Sequence, residues 1–296
     1  MNTQREQLIQ TWISSVLGSD QFEINFLAGD ASFRRYARIK LNNKTFMLMD
    51  APPEKEDCVP FVTIDEFFDT NGVRVPHIVA KDLEQGFLLL EDLGDVLLST
   101  QLDDKTVDAH YEQSFKQLIQ LQSIDGAGHF PAYSYEKLMT EMSLLTDWLL
   151  PSLQIQPSDD ESALIKRTFA ILANAALAQP QVIVHRDFHS RNLMLLVDEQ
   201  EQGVIDFQDA VIGADTYDLI SITRDAYVQW NPERVYHWFK VFYELLPASA
   251  KEGRDFEQFK QDADLMAIQR HIKILGIFVR VFERDGKSGY LKDLPR

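Results

Sequence analysis

His185, Asp187 and Asn192 occur in the stretch HRDFHSRN as His-x-Asp-x-x-x-x-Asn, and Asp206 closes the apolar run GVID fourteen residues beyond the asparagine. An acid, an amide and a second acid at the ends of short apolar runs are suited to one kind of chemistry. The loop aspartate can approach an attacking hydroxyl as a base, and the asparagine, a turn further on, can face a divalent cation. An acid from the following strand can bridge that cation to the phosphates of a nucleotide. The plainer alternative has His185 and Asp187 pairing in a tight loop while Asp206 caps the next helix. It requires three base-or-metal positions to coincide by accident.

These residues need a strand, a polar loop, a second strand, a turn and a third strand. The sequence supplies VIV, the loop, LMLLV, the turn DEQEQG and VID. Upstream, QFEINFLA, SFRRYARIKL and KTFMLMDAP are rich in aromatic and β-branched residues. GD and NN separate them, as in a three-strand antiparallel meander. VPFVTIDEFFDTNG reads as a helix ending near Gly72, and VRVPHIVAKDLEQGFLLLEDLGD as two further strands. The first residues place Leu8, Ile9, Trp12, Ile13 and Val16 at helical spacing. Beyond EDLGD the periodicity is helical over 103–123, near 135–150, over 159–178, and again from about 215 to the C-terminus.

Composition narrows the function. With 45% hydrophobic and 25% charged residues over 296 positions, the chain has the make-up of a soluble globular enzyme. Its apolar runs are too short or too charged to span a membrane, and its start lacks the apolar segment of a signal peptide, which points to a cytoplasmic protein. A formal net charge of −17 argues against a nucleic-acid partner. The single cysteine, Cys58, excludes an internal disulfide, and no base lies near it in sequence.

VHRDFHSRNLML followed by IDFQDA resembles the signature of the aminoglycoside phosphotransferase/choline kinase superfamily, and the resemblance runs over nearly the whole chain. More narrowly, GDASFRRYARI, MDAPPEKEDC, GVIDFQDAVIGADTYDLISITRD and the C-terminal QRHIKILGIFVRVFERDGKSGYLKDLPR are similar to bacterial cell-wall-recycling kinases. Those enzymes phosphorylate N-acetylmuramate and N-acetylglucosamine at the anomeric hydroxyl. The resemblance implies a protein-kinase-like α+β fold with a small β-rich N-lobe over 1–92 and a larger, mostly helical C-lobe over 93–296. It implies ATP and Mg2+ as cofactors, Asp187 as catalytic base, and Asn192 and Asp206 as Mg2+ ligands. His185 and Arg186 complete the catalytic loop.

The N-lobe departs from that pattern. Kinases of this type place a lysine on the third strand, paired with a helix glutamate. The corresponding positions here are Met49 and Phe61 or Val62, so both halves of the pair are missing together. Phosphate contacts then fall to the Gly29, Asp30, Ala31 and Ser32 backbone and to Arg34 or Arg35. Successive strand residues face opposite ways, so one of the two arginines points at nucleotide, and the sequence does not say which. Glu91, Asp92 and Leu93 fit the connector that meets the adenine.

On the acceptor side the candidates are Asp209, Arg224, Asp225, Arg270 and Lys273. In the last helix Ile268, Ile272, Leu275, Val279 and Phe282 form the expected core stripe. Arg270, Lys273 and Arg280 lie opposite, beside Ile277, so solvent or a ligand covers them. Asp218 is expected to anchor the helix it begins. The reading is an ATP- and Mg2+-dependent anomeric kinase for an amino sugar, with no nucleic-acid or membrane partner and an oligomeric state the sequence leaves open. A kinase for an aminoglycoside, choline or homoserine is the alternative, as is a nucleotide-binding regulator.

Overall fold

A computed structural model describes residues 3–27, 34–196 and 201–294. Its helices are α1 (Thr3–Leu17), α2 (Val59–Thr70), α3 (Val107–Ser123), α4 (Tyr135–Leu144), α5 (Leu150–Ser152), α6 (Asp159–Ala178), α7 (Tyr217–Thr223), α8 (Pro232–Leu245) and α9 (Phe256–Asp285). Its strands are β1 (Glu23–Phe26), β2 (Arg35–Leu41), β3 (Lys44–Asp50), β4 (Ile78–Asp82), β5 (Phe87–Glu91), β6 (Gln181–Val184), β7 (Leu193–Leu195), β8 (Gln202–Val204) and β9 (Val211–Ala214). The chain forms two compact units. One comprises residues 1–95 with 194–208, and the other 96–193 with 209–296. The fold is mixed α+β, with one sheet-based and one mostly helical unit.

The sheet unit is built on the order β1-β2-β3-β5-β4, with every neighbouring pair antiparallel. Asn42, at φ 54°, makes the β2–β3 turn in a left-handed conformation that asparagine tolerates. Alternation divides the sheet into two faces. Ala37, Ile39, Leu48, Phe87 and Leu89 pack on Ile9 and Ile13 of α1, with Trp12 and Val16 at the margin. Leu8, expected in that stripe, is instead exposed. Pro76 precedes β4, which is an edge strand, so the missing N–H breaks no ladder.

β7 and β8 form a two-stranded ribbon, and from Met194 onward its residues pack with the sheet unit. Val204 N–H donates to the Arg74 carbonyl at 2.7 Å. A Cβ on Gly203 would lie 2.5 Å from Leu93 Cδ1, so only glycine lets the ribbon approach this closely. Phe207 then packs on Phe61 and Phe68 of α2, at 4.9 and 5.8 Å between ring centroids.

In the helical unit, α6 starts from a full capping box, with Ser158 and Glu161 satisfying each other's backbone N–H groups. α8 and α9 start from Asn231 and Asp255, each accepting from a backbone N–H three residues on. α4 passes through a π-helical turn at Leu145–Leu149. There α9 crosses so closely that a Cβ on Gly276 would meet Leu144 backbone at 2.4 Å. β9 was not legible as a strand. It pairs antiparallel with β6, putting Val184 opposite Val211. Among the described residues no helix is long and apolar enough to cross a membrane.

α9 follows the expected faces only in part: Val279 is buried as expected, and Ile272 and Leu275 are half-buried. Ile268 and Phe282 are exposed, whereas Arg270 and Lys273 are buried with Met266, Ala267 and Phe278. The helix lies against α4, the π turn, α6 and α7. Those neighbours supply counter-charges for Lys273, a requirement that hydrophobic periodicity does not register.

In α2, Asp65 is buried, and its Oδ2 has no hydrogen-bond partner among the described residues. Burial, reinforced by Asp69 and Glu66, pushes this carboxyl up to about 8. The unfolded chain ionises it near its ordinary value of 3.8. The neutral carboxyl's contribution is therefore complete below about pH 4 and is lost as pH rises towards 8. Asp65→Asn is expected to melt several degrees above the parent at pH 9, with a much smaller offset at pH 5. Differential scanning fluorimetry reads this, and an equal offset at both pH values would refute it.

Candidate active site

The helical unit contributes residues 185–192, between β6 and β7. His185 follows β6 and is fully buried. Asp218, from the first turn of α7, is buried beneath it. Its Oδ2 accepts from His185 N–H at 2.6 Å and its Oδ1 from Arg186 N–H at 3.0 Å. Asp218 thus anchors the loop, and no side-chain bond caps α7. Burial raises this carboxyl to about 7 against the opposing pull of the two N–H groups. Arg186 sits at φ 76°, a conformation that disfavours a side chain by about 1–2 kcal/mol and that Asp218 helps to hold.

The loop then closes on itself. Asp187 N–H donates to His185 Nδ1, and His189 N–H and Asn192 Nδ2 donate to the Asp187 carbonyl at 2.9 and 3.0 Å. Ser190 directs its N–H and hydroxyl to Asp225 Oδ2 at 3.0 and 2.5 Å. Asp225, expected among acceptor contacts, is therefore engaged in bracing the loop. Asp187 is half-buried. Burial favours its neutral form, but Lys273, His189, Arg270 and His185 outweigh that and hold the carboxyl below its ordinary range. It is a carboxylate at neutral pH.

A buried charge cluster adjoins it. Lys273 Nζ lies 3.0 Å from the Tyr217 hydroxyl and 3.5 Å from Glu141. Glu141 also takes Arg186 Nη2 at 2.6 Å and the Tyr133 hydroxyl. Burial opposes the charge on Lys273, yet Tyr217 and Glu141 keep its ammonium above the ordinary value. Arg270 is buried, and its Nη1 has no hydrogen-bond partner among the described residues. The structure thus brings Arg270 and Lys273 to Asp187. Asp209 is exposed, with its carbonyl 3.3 Å from Arg186 Nη1. Arg224 instead pairs with Asp264 at 2.6 Å, beside the rings of Tyr236 and Phe239. Glu141 and Tyr217 escaped the sequence reading. Glu141 is 45 residues from Arg186 and carries no local motif.

In the sheet unit, Asp206 follows β8 at φ 67°, exposed, with its Oδ1 accepting from Gln208 Nε2 at 2.8 Å. Residues 29–32 lie outside the described residues. Arg35 is paired with Asp50, a fully buried carboxylate that also takes Arg5 at 2.6 Å. Arg34 pairs with Glu56 at 2.7 Å. In the connector Glu91 is bound by Arg74 at 2.7 Å, Asp92 by Arg38 at 2.6 Å, and Leu93 packs on Gly203. Met49 is buried on β3, and no charge is stranded where the usual lysine would stand.

Residues 23–255 match the phosphotransferase enzyme family, and the chain belongs to it. It is a phosphotransferase. It is 42% identical over 275 residues to the N-acetylmuramate/N-acetylglucosamine kinase of Pseudomonas aeruginosa, covering 91% of this chain and 80% of that one. The Neisseria meningitidis protein of the same name is 35% identical over 300 residues, covering 99% and 89%. Among solved structures, the ADP-bound aminoglycoside phosphotransferase APH(2'')-Ib superposes with a TM-score of 0.65 at 14% identity, covering 100% of this chain and 96% of that one. A Plasmodium vivax ethanolamine kinase gives 0.67 at 12%, covering 93% and 81%. Both share the fold.

Asp218 presents separate oxygens to His185 and Arg186, so Asp218→Asn turns one acceptor into a donor facing an N–H. It is expected to destabilise the protein by about 2–3 kcal/mol and to lower kcat at least 10-fold. Thermal melts and steady-state assays measure the two effects, and an unchanged kcat would remove Asp218 from the loop's support.

Proposed function

We propose that the protein is an ATP- and Mg2+-dependent cytoplasmic sugar kinase that phosphorylates the anomeric hydroxyl of N-acetylmuramate and N-acetylglucosamine, giving sugar 1-phosphates in peptidoglycan recycling. The observation that carries the reading is Asp187, a carboxylate held ionised on a braced loop in a chain similar over most of its length to kinases named for these sugars. Asp187 accepts the proton of the attacking hydroxyl as the phosphoryl group transfers. Because bond making to phosphorus is loose, correct placement of that hydroxyl matters more than the strength of the base.

Asn192 and Asp206 are the residues assigned to Mg2+. Both offer hard oxygen donors, and the Asn192 amide nitrogen is turned to the Asp187 carbonyl, which orients its oxygen the other way. Magnesium commonly takes one or two protein oxygens and completes its shell with phosphate and water, and when bound it offsets charge on the phosphates. The acceptor is argued from charge. Lys273 and Arg270 beside Asp187 disfavour a polycation such as an aminoglycoside, whereas a neutral N-acetyl sugar or the lactyl carboxylate of N-acetylmuramate is compatible with them.

Asp187→Asn is expected to fold normally and to lose roughly 10²–10⁴-fold in kcat. ADP release with Mg·ATP should be strong with both N-acetyl sugars and absent with their methyl glycosides. Turnover with kanamycin or choline alone would overturn the sugar assignment while leaving the loop chemistry in place.

A further inference from the structure

The sheet unit lacks the strand lysine and helix glutamate that ordinarily meet nucleotide phosphates, and its own charges show what takes their place. Alternation sorts the two consecutive arginines. Arg35 shares its side of β2 with Ala37 and Ile39, the face covered by α1, where it meets Asp50. Tyr36 points to the opposite face, directly across the ladder from Met49, the position of the missing lysine. Arg34 reaches that opposite face. It hydrogen-bonds the Tyr36 hydroxyl, pairs with Glu56 and lies 5.8 Å over the Phe61 ring.

Three observations place this guanidinium at the Asp206 end of the unit, away from Arg38. The Asp206 carboxylate acts electrostatically on the same Tyr36 phenol. Phe61, beneath Arg34, stacks on Phe207, the residue after Asp206. Arg38, on the same face, is held at the connector end by Asp92 and Asp95. Arg34 keeps only 9% of its side-chain exposure, so the counter-charge of Glu56 is what allows it to stand there.

We infer that Arg34, braced by Glu56 and Tyr36, is the cation that meets the nucleotide's phosphates, and that this pair does the work of the absent strand-lysine and helix-glutamate pair. The inference rests on the proposed use of Mg·ATP. The acid comes from the loop before α2, five or six residues ahead of the helix position where it is usual. The longer arginine, entering at the start of β2, makes up the distance that a lysine on β3 would cover. A guanidinium, with five N–H donors in a fixed fork, can keep a carboxylate while also taking a phosphate oxygen. Glu56 is a positioning residue, since it acts on phosphate through Arg34.

Titration calorimetry with Mg·ADP and with adenosine tests this on the full chain. Arg34→Ala is expected to weaken Mg·ADP about 10- to 100-fold, the loss of one charge-assisted contact, and to bind adenosine as the parent does. Arg34→Lys should recover part of the loss. Glu56→Gln should weaken Mg·ADP several-fold with adenosine again unmoved. If Arg34→Ala binds Mg·ADP as tightly as the parent, or loses adenosine in parallel, the inference falls and the kinase reading stands. A parent protein that binds neither Mg·ADP nor Mg·ATP would bring down both. Should Arg34→Ala fail to fold, the lysine and glutamine variants decide the matter by the same comparison.

Discussion

The loop chemistry depends on one buried carboxylate. Asp218 meets the backbone of two successive residues where the chain leaves β6, and one of them, Arg186, has a left-handed conformation that its side chain disfavours. Without an acceptor beneath them, those N–H groups would be buried at a cost of roughly 1–3 kcal/mol each. With Asp218 present, the strained turn becomes the lowest-energy path and Asp187 is presented in a fixed attitude. Burial in turn comes from α7, whose residues from Tyr217 to Thr223 are all inaccessible. The support is therefore as deep in the core as any aliphatic side chain.

A second constraint is charge pairing. Asp50 has two arginines, Glu141 serves Arg186, Lys273 and Tyr133, and Asp215 holds Arg254 at 2.6 Å. Removing one of these acids would leave buried cations uncompensated, costing several kcal/mol. Met49 follows the same logic. A lysine there would need its own acid from α2, and α2 offers Phe61 and Val62 at the expected positions, with Asp65 further along held largely neutral by burial. Losing lysine and glutamate together leaves no buried charge uncompensated, and on the inference above a cation for phosphate enters from the start of β2.

Local signals made much of this legible. The meander, the helix over 159–178 and the loop motif all declare themselves within a few residues, because their interactions are between near neighbours. What escaped is what long-range contact decides. Val211–Ala214 is too short to show alternation and becomes a strand only against β6. The burial of Arg270 and Lys273 in α9 escaped because apolar periodicity finds the greasy stripe, whereas burial here also follows Lys273 to its partners on α4 and α7. Arg34 and Arg35 could not be separated by composition. The parity of β2 and the position of α1 separate them.

The buried cations of α9 also reconcile an acidic protein with phosphoryl transfer. The net charge of −17 belongs mostly to the surface, where solvent and salt screen it within roughly 10 Å. The charges beside Asp187 are different in kind. Lys273 and Arg270 are buried, so their fields are weakly screened and act over the few ångströms that matter. A cation beside Asp187 stabilises its ionised carboxylate and, with Asp187 as the proposed base, would lessen repulsion as an anionic phosphoryl group approaches. On the proposed reading the same cations would also disfavour a positively charged acceptor. Net charge is thus a poor guide to this site, and the buried face of α9 is the better one.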